Sequence, residues 1–537
     1  MDNTISPSIR RPIITLVIFL SLVGVGLRFY HITSNDFVFY DEGLYLNHSR
    51  NLLELIEQHF PQNISDCRKV VNLWFKSSLS MTKVLWVMVS DIRVFWGGLS
   101  DWFFPRVISA CAGCLTLLLT FRFAKKYFSS NEIGTLSLLF LALLPSHVFY
   151  SRLALQEALC TLFFLGGFYL YLFPRTFGLR TFLSALCFAC AFMTNYRVIF
   201  IPLFVLLTET FVCATSRATW NLRKYLWNTL TFLLIIVLVG NLEGGRNSRV
   251  VFGWMFVQAH SASETFSAFN LLSYPYYIFR LENPLLGLLF FGNITYFACR
   301  EYKKLLPFLL VCLQMLIFSL AEEKGARYLC IVTPFMAIAC ASLAVDLFQK
   351  YQSKILRLSL GLFVMLTLLM LCHKSIALAR SHSDYESSIR YIRQLDPQAK
   401  ILSTQPKIQN LYTSKSDVEG VPKKFPFFLH FYAQGFQYLV IDPQVYVSWA
   451  DGDMRFNTKL IGYMNFIVRQ VKPLRVFPHF SKDLLERFVF EHSTNLRRSI
   501  RFLNARDYPY GTLSVYSIRD CIDTVNERIG FHRSQEK

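Results

Sequence analysis

The stretch IITLVIFLSLVGVGLRFYHITSNDFVFYDEGLYL, residues 13–46, combines a long apolar run with a pair of adjacent carboxylates. Residues 13–30 are apolar enough to span a membrane and lack a small-residue cleavage pattern, so we expect a retained anchor. Asp41 and Glu42 follow between aromatic residues. They indicate either an ordinary helix start, where acidic residues favour the positive helix end, or an active site outside the membrane.

The composition of the whole chain favours a membrane protein. Of its 537 residues, 53% are apolar and 17% are charged, whereas soluble domains carry about 25% charged residues. We interpret the net charge of +20 as topology signals and contacts to anionic lipid rather than nucleic-acid binding. No GxxxxGK[ST], GxGxxG or HExxH motif occurs, so nucleotide, dinucleotide and zincin chemistry lack support.

Apolar segments recur along the chain and predict about eleven membrane-spanning helices. Several are shorter than the ~20 residues of a typical span, so their ends are approximate. Their cores are residues 13–30, 106–121, 133–149, 154–172, 181–195, 198–213, 227–240, 284–299, 305–320, 329–347 and 356–373.

The loops between these segments differ in charge. Loops on one side carry most of the lysines and arginines, which places that side in the cytoplasm. We therefore expect a cytoplasmic N-terminus in a cell membrane and, with an odd number of spans, an external C-terminal domain. The basic loops contain Arg10, Arg11, Arg122, Lys125, Lys126, Arg175, Arg180, Arg217, Arg223, Lys224, Arg300, Lys303, Lys304, Lys350, Lys354 and Arg357.

Two domains are predicted from the change in composition along the chain. Residues 1–375 form a transmembrane domain, and within it residues 31–105 form a first external loop in which we expect interfacial helices. Residues 376–537 contain the helical patterns SSIRYIRQL and FPFFLHFYAQG and the strand patterns KILST and FQYLVIDP, which indicate a small α/β domain. Cys67 and Cys521 lie outside the apolar segments, and the sequence leaves their pairing open.

Further candidate site residues lie in the other external turns. Glu157 begins the fourth predicted span, where a carboxylate needs either a partner, such as Arg152, or a shared polar cavity. Arg197 and Arg327 come from later turns, and arginine binds phosphate oxygens through two N–H groups at once. A carboxylate base for a hydroxyl acceptor, with cations beside a leaving phosphate, is a minimal set for sugar transfer from a polyprenyl phosphate.

Six motifs in order resemble those of the GT-C superfamily of integral membrane glycosyltransferases, in the group of lipid A aminoarabinose transferase and protein O-mannosyltransferase-like enzymes. The motifs are FYDEGLYL, LWFKSSLSMTKVLWVMV, WFFPRVISACAGCLTLLLTFRFAKKYF, LALLPSHVFYSRLALQEALCTLFF, FMTNYRVIFIPLFVLL and EEKGARYLCIVTPFMAIACASLA. The resemblance covers residues 10–373 and, more loosely, the tail. Relatives show Lys-Pro-Pro-Leu where this chain has Lys76-Ser-Ser-Leu79, so the cation is kept and the rigid turn is lost.

The resemblance implies a helix bundle that moves a sugar from an undecaprenyl or dolichyl phosphate to a hydroxyl acceptor, outside the membrane, by inverting single displacement. Asp41 would be the acceptor base, Glu42 would hold acceptor or cation, and Glu157 would complete the acidic site. The cations implied for the lipid phosphate are Lys76, Arg106, Arg152, Arg197 and Arg327. The nearest relatives are mostly regarded as metal-independent, so we predict no metal or cofactor, although three carboxylates would suit Mg²⁺ or Mn²⁺.

Two alternatives stay open. A transporter or flippase for lipid-linked saccharides would also be polytopic and basic, but the sequence shows neither internal repeats nor clear Gly- or Pro-broken helices. A saccharide polymerase or ligase would share the lipid-linked substrates but lack an Asp-Glu motif at this place. The sequence does not identify the sugar or whether the acceptor is a glycan, lipid or protein. A bacterial membrane is favoured over the endoplasmic reticulum because the large lumenal insert of eukaryotic protein mannosyltransferases is missing.

Overall fold

The chain folds into two compact units, one comprising residues 1–33 and 52–379 and the other residues 34–51 and 380–537. Residues 31–105 were all predicted in the membrane domain, whereas the structure groups residues 34–51 with the C-terminal residues. The computed structural model describes residues 7–34, 40–59, 67–79, 83–92, 102–173, 177–216, 220–241, 253, 268–297, 301–321, 323–422, 424–442, 458–478, 480–491, 493–504 and 512–535.

The first unit is built from helices, and α2 begins in the second unit and continues into the first. Short 3₁₀ segments precede several helices, including Tyr196–Phe200 and Ala326–Val332, and a π-helical segment covers Ile278–Glu282. The helices are α1 (Pro7–Phe29), α2 (Tyr40–His59), α3 (Cys67–Leu79), α4 (Val84–Asp91), α5 (Phe103–Phe128), α6 (Asn131–Ala142), α7 (Pro145–Arg152), α8 (Glu157–Leu172), α9 (Leu179–Thr194), α10 (Ile201–Ser216), α11 (Leu222–Asn241), α12 (Ser273–Tyr277), α13 (Pro284–Phe297), α14 (Leu306–Leu320), α15 (Thr333–Lys350) and α16 (Lys354–Ala379).

Each predicted apolar segment coincides with a helix of this unit, and residues 133–149 coincide with the pair α6 and α7. In the described part, five helices are long and apolar enough to span a membrane, or six if that bent pair is one span. Five further apolar helices have 10–17 residues each. The chain is therefore a multi-pass membrane protein, while the count of about eleven crossings stays a prediction.

The burial of the apolar helices shows which surfaces suit lipid. Within the most apolar 18 residues of the helix Ala326–Lys350, 94% of residues are buried. The corresponding share is 17% in α11 and 17% in α16. Leu230, Leu238 and Leu362 each expose more than half of their surface. An apolar surface of this kind is costly in water but stable against acyl chains. The segment ending in α15 is thus a central helix, and α11 and α16 present lipid-compatible faces.

A break between α6 and α7 bends the chain by 58°. Pro145 at the start of α7 has no N–H to continue the hydrogen bonds of α6, so the last carbonyls of α6 need other donors. Arg28 of α1 supplies them, because its buried guanidinium donates to the carbonyls of Leu141 at 3.1 Å and Ala142 at 2.9 Å. The nitrogen that donates to Leu141 also lies 2.6 Å from Nδ1 of the buried His147.

Other side chains complete the break. The carboxylate of Glu282 accepts hydrogen bonds from the backbone N–H of Ser146, at 3.1 Å, and from the Ser146 hydroxyl. A carboxylate is favourable there because it faces the positive end of α7. The hydroxyl of Ser375 donates to the carbonyl of Leu143 at 2.8 Å. These backbone groups of the break are therefore bonded to protein side chains.

The second unit contains a five-stranded mixed sheet in the order β2-β1-β3-β5-β4. Strand β1 pairs in parallel with β2 and β3, while β5 runs antiparallel to β3 and β4. The strands are β1 (Lys400–Ser403), β2 (Val418–Gly420), β3 (Phe436–Ile441), β4 (Arg475–Pro478) and β5 (Thr512–Ser517). The helices are α17 (Tyr385–Leu395), α18 (Pro406–Gln409), α19 (Phe425–Ala433), α20 (Thr458–Gln470), α21 (Lys482–Glu491), α22 (Leu496–Asn504) and α23 (Ile518–Gln535).

The four segments predicted in the tail are confirmed as α17, β1, α19 and β3. One core cluster joins the sheet to helices through Leu402, Leu439, Ile467 and Ile518, and it includes the free thiol of Cys521. Burial raises the pKa of Cys521 to about 12.

A buried polar pair lies where β3 ends. The Tyr385 hydroxyl donates a hydrogen bond to the carboxylate of Asp442, and both side chains are buried. Burial, together with the negative charge of Asp442, raises the pKa of Tyr385 well above its ordinary value. The hydroxyl therefore stays protonated and can keep donating to the carboxylate.

Candidate functional site

The Asp-Glu motif lies in the first turn of α2, which begins at Tyr40. Glu42 is fully buried, and Asp41 is partly exposed. The predicted helix start is therefore correct, and the positive end of the helix favours both carboxylates. A helix start and a catalytic role do not exclude one another. Both residues belong to the second unit.

Glu157 begins α8 and is 1% exposed. One carboxylate oxygen accepts a hydrogen bond from the side-chain amide of Gln156 at 2.9 Å. The other oxygen is buried and has no hydrogen-bond partner among the described residues. A buried carboxylate oxygen without a donor is costly, so it is more often found where a substrate or another ligand supplies the donor.

Two hydrogen bonds connect the surroundings of Glu157 with other predicted site elements. Ser109, one turn after Arg106 on α5, donates to the carbonyl of Leu155 at 2.9 Å. Thr161, one turn after Glu157, donates to the carbonyl of Cys330 at 3.4 Å, in the 3₁₀ segment that carries Arg327. The structure thus brings together the chain segments of Arg106, Glu157 and Arg327. Arg106 is 3% exposed and Arg327 is 9% exposed.

Arg197 has its own set of contacts, which involve residues near Arg327 in the chain. Its backbone N–H donates to the side chain of Asn195, and the guanidinium lies 4.5 Å from the ring centre of Tyr328. One guanidinium nitrogen is 3.8 Å from the carboxylate of Glu323, which also accepts a hydrogen bond from the Tyr328 hydroxyl at 2.9 Å. Arg327 is close enough to Arg197 for a like-charge interaction. Two arginines held near each other favour a doubly charged anion.

Glu323 and Tyr328, the partners of Arg197, are candidate site residues that the sequence did not indicate. They lie in the quoted motif, but their five-residue separation follows neither helical nor strand periodicity. Gln314 of α14 donates to the carbonyl of Tyr328 at 2.9 Å, and Tyr274 of α12 donates to the carbonyl of Gly325 at 3.4 Å. These bonds hold the 323–328 segment from two sides. Only the folded chain brings the 323–328 segment together with Arg197, Gln314 and Tyr274.

Two of the predicted phosphate ligands have other surroundings. The Arg152 guanidinium donates to the carbonyls of Tyr30, at 2.9 Å, and Leu378, at 3.3 Å. Neither bond is to Glu157, the partner considered from sequence. Lys76 is exposed near the end of α3. No three His, Cys, Asp or Glu side chains of the described residues are grouped to hold a metal ion.

No family model matches the sequence, and no curated protein matches it by sequence comparison. Solved structures do match. The oligosaccharyltransferase of Archaeoglobus fulgidus in its apo form aligns over 82% of this chain and 72% of its own, with a TM-score of 0.55 and 11% identity. The same enzyme with an inhibitory peptide and a dolichol-phosphate gives a TM-score of 0.51. ArnT from Cupriavidus metallidurans in the apo state aligns over 82% of this chain and 95% of its own, with a TM-score of 0.50 and 14% identity.

These neighbours identify the fold. Both proteins belong to the GT-C superfamily, so the chain has the fold that its six motifs predicted. The agreement extends over more than four fifths of the chain at very low sequence identity. A fold of this kind restricts the architecture but leaves the activity to be argued from the site.

Proposed function

We propose that this protein is a glycosyltransferase that transfers a sugar from a polyprenyl phosphate to a hydroxyl acceptor outside the cytoplasm. The observation that carries the proposal is the buried, incompletely bonded carboxylate of Glu157 within a GT-C fold. Its chain neighbours Leu155 and Thr161 bond the segments that carry Arg106 and Arg327. An acid and several cations at one place suit a reaction in which a hydroxyl attacks and a phosphate leaves.

The lipid-linked donor follows from the chemistry of the membrane. Nucleotide sugars are water-soluble and cytoplasmic, whereas a polyprenyl phosphate carries its sugar across the membrane with its tail in the lipid. The oligosaccharyltransferase neighbour was solved with a dolichol-phosphate, which is a molecule of this class. We assign the same donor class here, with undecaprenyl or dolichyl chains and a glycan, lipid or protein acceptor. The N-terminus is assigned to the cytoplasm and the C-terminal domain to the outside, from the loop charges.

Transfer proceeds by a single displacement with inversion. The acceptor oxygen forms a bond to the anomeric carbon while the bond from that carbon to the phosphate oxygen breaks. Asp41 takes the acceptor proton, and Glu42 orients the acceptor. Glu157 completes the acidic set, and its second oxygen is assigned to a sugar or acceptor hydroxyl. The products are the glycosylated acceptor and the free polyprenyl phosphate.

The leaving phosphate is assigned to Arg327, Arg197 and Arg106. The developing negative charge on its oxygens is stabilised by guanidinium groups held before the reaction begins. Tyr328 and Glu323 fix Arg197, so that part of the site needs little rearrangement. We leave Arg152 out of this set because its guanidinium donates to two main-chain carbonyls. Lys76 stays a secondary candidate, and no metal is included.

The bend between α6 and α7 is the one feature of the described residues that favours a transporter. Transporters often place substrate at broken helices, where free backbone groups coordinate it. Here Arg28, Ser375 and Glu282 bond the backbone groups of the break. A substrate would have to displace these protein side chains, so the break supports the enzyme better than the transporter.

Reconstitution in liposomes tests the proposal. The protein, given a panel of radiolabelled polyprenyl phosphate sugars and a membrane extract as acceptor, should release polyprenyl phosphate. Asp41→Asn should lower turnover by about 100-fold or more, because an amide cannot accept the acceptor proton. The matched control is Asp520→Asn, an exposed acid in the first turn of α23. Equal behaviour of the two variants would reduce Asp41 to a helix-start residue, and donor flipping without cleavage would support the transporter.

A further inference from the structure

The helix that carries the Asp-Glu motif rests on a segment more than 350 residues away in sequence. Gly43, directly after the motif, packs against Lys407 so closely that an added Cβ would lie 2.7 Å from the Lys407 carbonyl oxygen. A real Cβ does not tolerate that distance, and the contact is with backbone rather than a flexible side chain. Glycine is therefore required at this position by a close approach of two main chains.

Polar contacts secure the same approach. The side-chain amide of Asn47 donates to the carbonyl of Gly43 and to the carbonyl of Lys407, both at 2.6 Å. The guanidinium of Arg50 donates to the carbonyl of Asn410 at 3.0 Å. Asn47 is 8% exposed, so its bond to Lys407 forms in a largely water-free contact. Docking is thus specified by one glycine and two donors rather than by apolar packing alone.

The three docking residues share one side of α2. At 3.6 residues per turn, Gly43, Asn47 and Arg50 lie within roughly 60° of one another around the helix axis. Asp41 lies roughly 160° from Gly43 in the same projection, on the opposite side. The docked face therefore fixes the rotation of the helix, and with it the direction of Asp41.

The receiving segment is itself rigidly bonded. Residues 406–410 follow the carboxyl end of β1, which lies between β2 and β3 in the sheet. The backbone N–H of Gln405 donates to the Ser403 hydroxyl at 2.8 Å, and the side chain of the buried Gln409 donates to Ser388 of α17 at 3.1 Å. In α/β proteins, functional residues often lie beyond the carboxyl ends of parallel strands, at the point where the strand order reverses.

We propose that residues 406–410 are a platform that sets the orientation of Asp41 and Glu42, and that Gly43, Asn47 and Arg50 are positioning residues for the transfer reaction. The inference rests on the proposed function. It gives the C-terminal domain a part in turnover without a group that touches the substrate. Loosening the platform should reduce turnover without weakening the binding of the donor. The residues assigned to the donor phosphate lie in the other unit.

The sharpest test adds one methyl group at two helical glycines. In Gly43→Ala the methyl must push α2 away from Lys407, whereas in the control Gly361→Ala no atom lies within 4 Å of the new Cβ. We expect Gly43→Ala to lower kcat by about 10- to 100-fold with a KM for donor within about twofold of wild type, as a misplaced group does. Gly361→Ala should leave both unchanged.

A second pair tests the hydrogen bond separately from packing. Asn47 and Asn241 both donate to the carbonyl four residues earlier, but Asn47 also donates to Lys407. Asn47→Ala should lower kcat by about tenfold, and Asn241→Ala should not. Hydrogen exchange of the 40–51 amides, followed by mass spectrometry in detergent, gives a readout that does not need activity. Exchange there should become faster in Gly43→Ala and Asn47→Ala only.

The two readouts separate this inference from the proposed function. Faster exchange in a protein that transfers no sugar would support the docking and remove the enzymatic role. Wild-type turnover and exchange in both Gly43→Ala and Asn47→Ala would overturn the platform while the transferase survives. A loss of donor binding equal to the loss of kcat would likewise overturn it, because that outcome indicates general disruption rather than a turned helix.

Discussion

The guanidinium of Arg152 donates a hydrogen bond to the main-chain carbonyl of Tyr30, 122 residues earlier in the chain, at 2.9 Å. A second nitrogen reaches the carbonyl of Leu378 at 3.3 Å. Tyr30 follows the last residue of α1, and Leu378 lies in the last turn of α16. The last carbonyls of a helix lack partners within the helix and carry partial negative charge. Arg152 thus joins the ends of α1 and α16 to α7.

Arg152→Ala should therefore act on stability. We expect the folded protein to lose about 1–2 kcal/mol, the usual size for partly exposed hydrogen bonds from a charged donor. The midpoint temperature for loss of the monodisperse peak in size-exclusion chromatography measures this effect. Binding of labelled polyprenyl phosphate to the protein that remains folded should stay within about twofold of wild type. Normal stability with lost donor binding would return Arg152 to the phosphate site.

Arg327 should show the reverse behaviour. Arg327→Ala removes a guanidinium assigned to the donor phosphate, and we expect donor binding to weaken by about 10- to 100-fold. Arg327→Lys should recover only part of this loss, because an ammonium group lacks the planar pair of N–H donors. Equilibrium binding of labelled donor measures both variants, with Arg152→Ala as the comparison. Unchanged binding in Arg327→Ala contradicts the assignment.

Glu157→Gln tests the buried carboxylate with little change of shape. The amide oxygen can still accept from Gln156, so folding should be nearly normal. We expect turnover to fall by about 100-fold, because the negative charge assigned to the substrate hydroxyl is lost. Glu132→Gln is the matched control, since Glu132 is an exposed glutamate in the first turn of α6. A fall in stability without a fall in specific activity would make Glu157 a structural residue.

Local pattern explains what the sequence could predict. Apolar runs as long as residues 356–373 have few stable alternatives to a membrane helix, so the segments and the helices coincide. The acids at 41 and 42 indicated a helix start because carboxylates are favourable in the first turn of a helix. In the tail, β1 and β3 were visible as short apolar runs between turn residues.

Long-range contacts explain what could not be predicted. Nothing near Gly43 in the sequence indicates Lys407, and nothing near Arg28 indicates that it bonds the end of α6. Glu323 and Tyr328 also become partners of Arg197 only in the folded chain. Glu157, five residues away, was the partner considered for Arg152 from sequence, whereas the guanidinium donates to the carbonyl of Tyr30 in the folded chain.

The break between α6 and α7 predicts a large effect at Arg28. Arg28→Ala removes the donor to the carbonyls of Leu141 and Ala142 in a buried place, which should cost about 3 kcal/mol or more. Arg180→Ala is the control, because Arg180 also donates to a carbonyl, that of Phe173, but is exposed. Thermal unfolding in detergent should separate the two variants clearly. Similar midpoints would show that water or lipid replaces Arg28 at the break.

Cys521 predicts a pH dependence in the C-terminal domain. Burial raises its pKa from 9.0 to about 12, so the folded state holds this proton where the unfolded state releases it. The resulting stability is complete below about pH 9 and is lost as the pH rises toward about 12, by about 1.4 kcal/mol for each pH unit. Cys521→Ala has no thiol to ionise, so between about pH 8 and about pH 10.5 it should lose about 2 kcal/mol less stability than wild type. Thermal unfolding of both proteins at the two pH values measures the difference. Parallel losses in the two proteins would mean that the thiol is ionised or exposed in the folded domain, contrary to its place in the core beside Ile518.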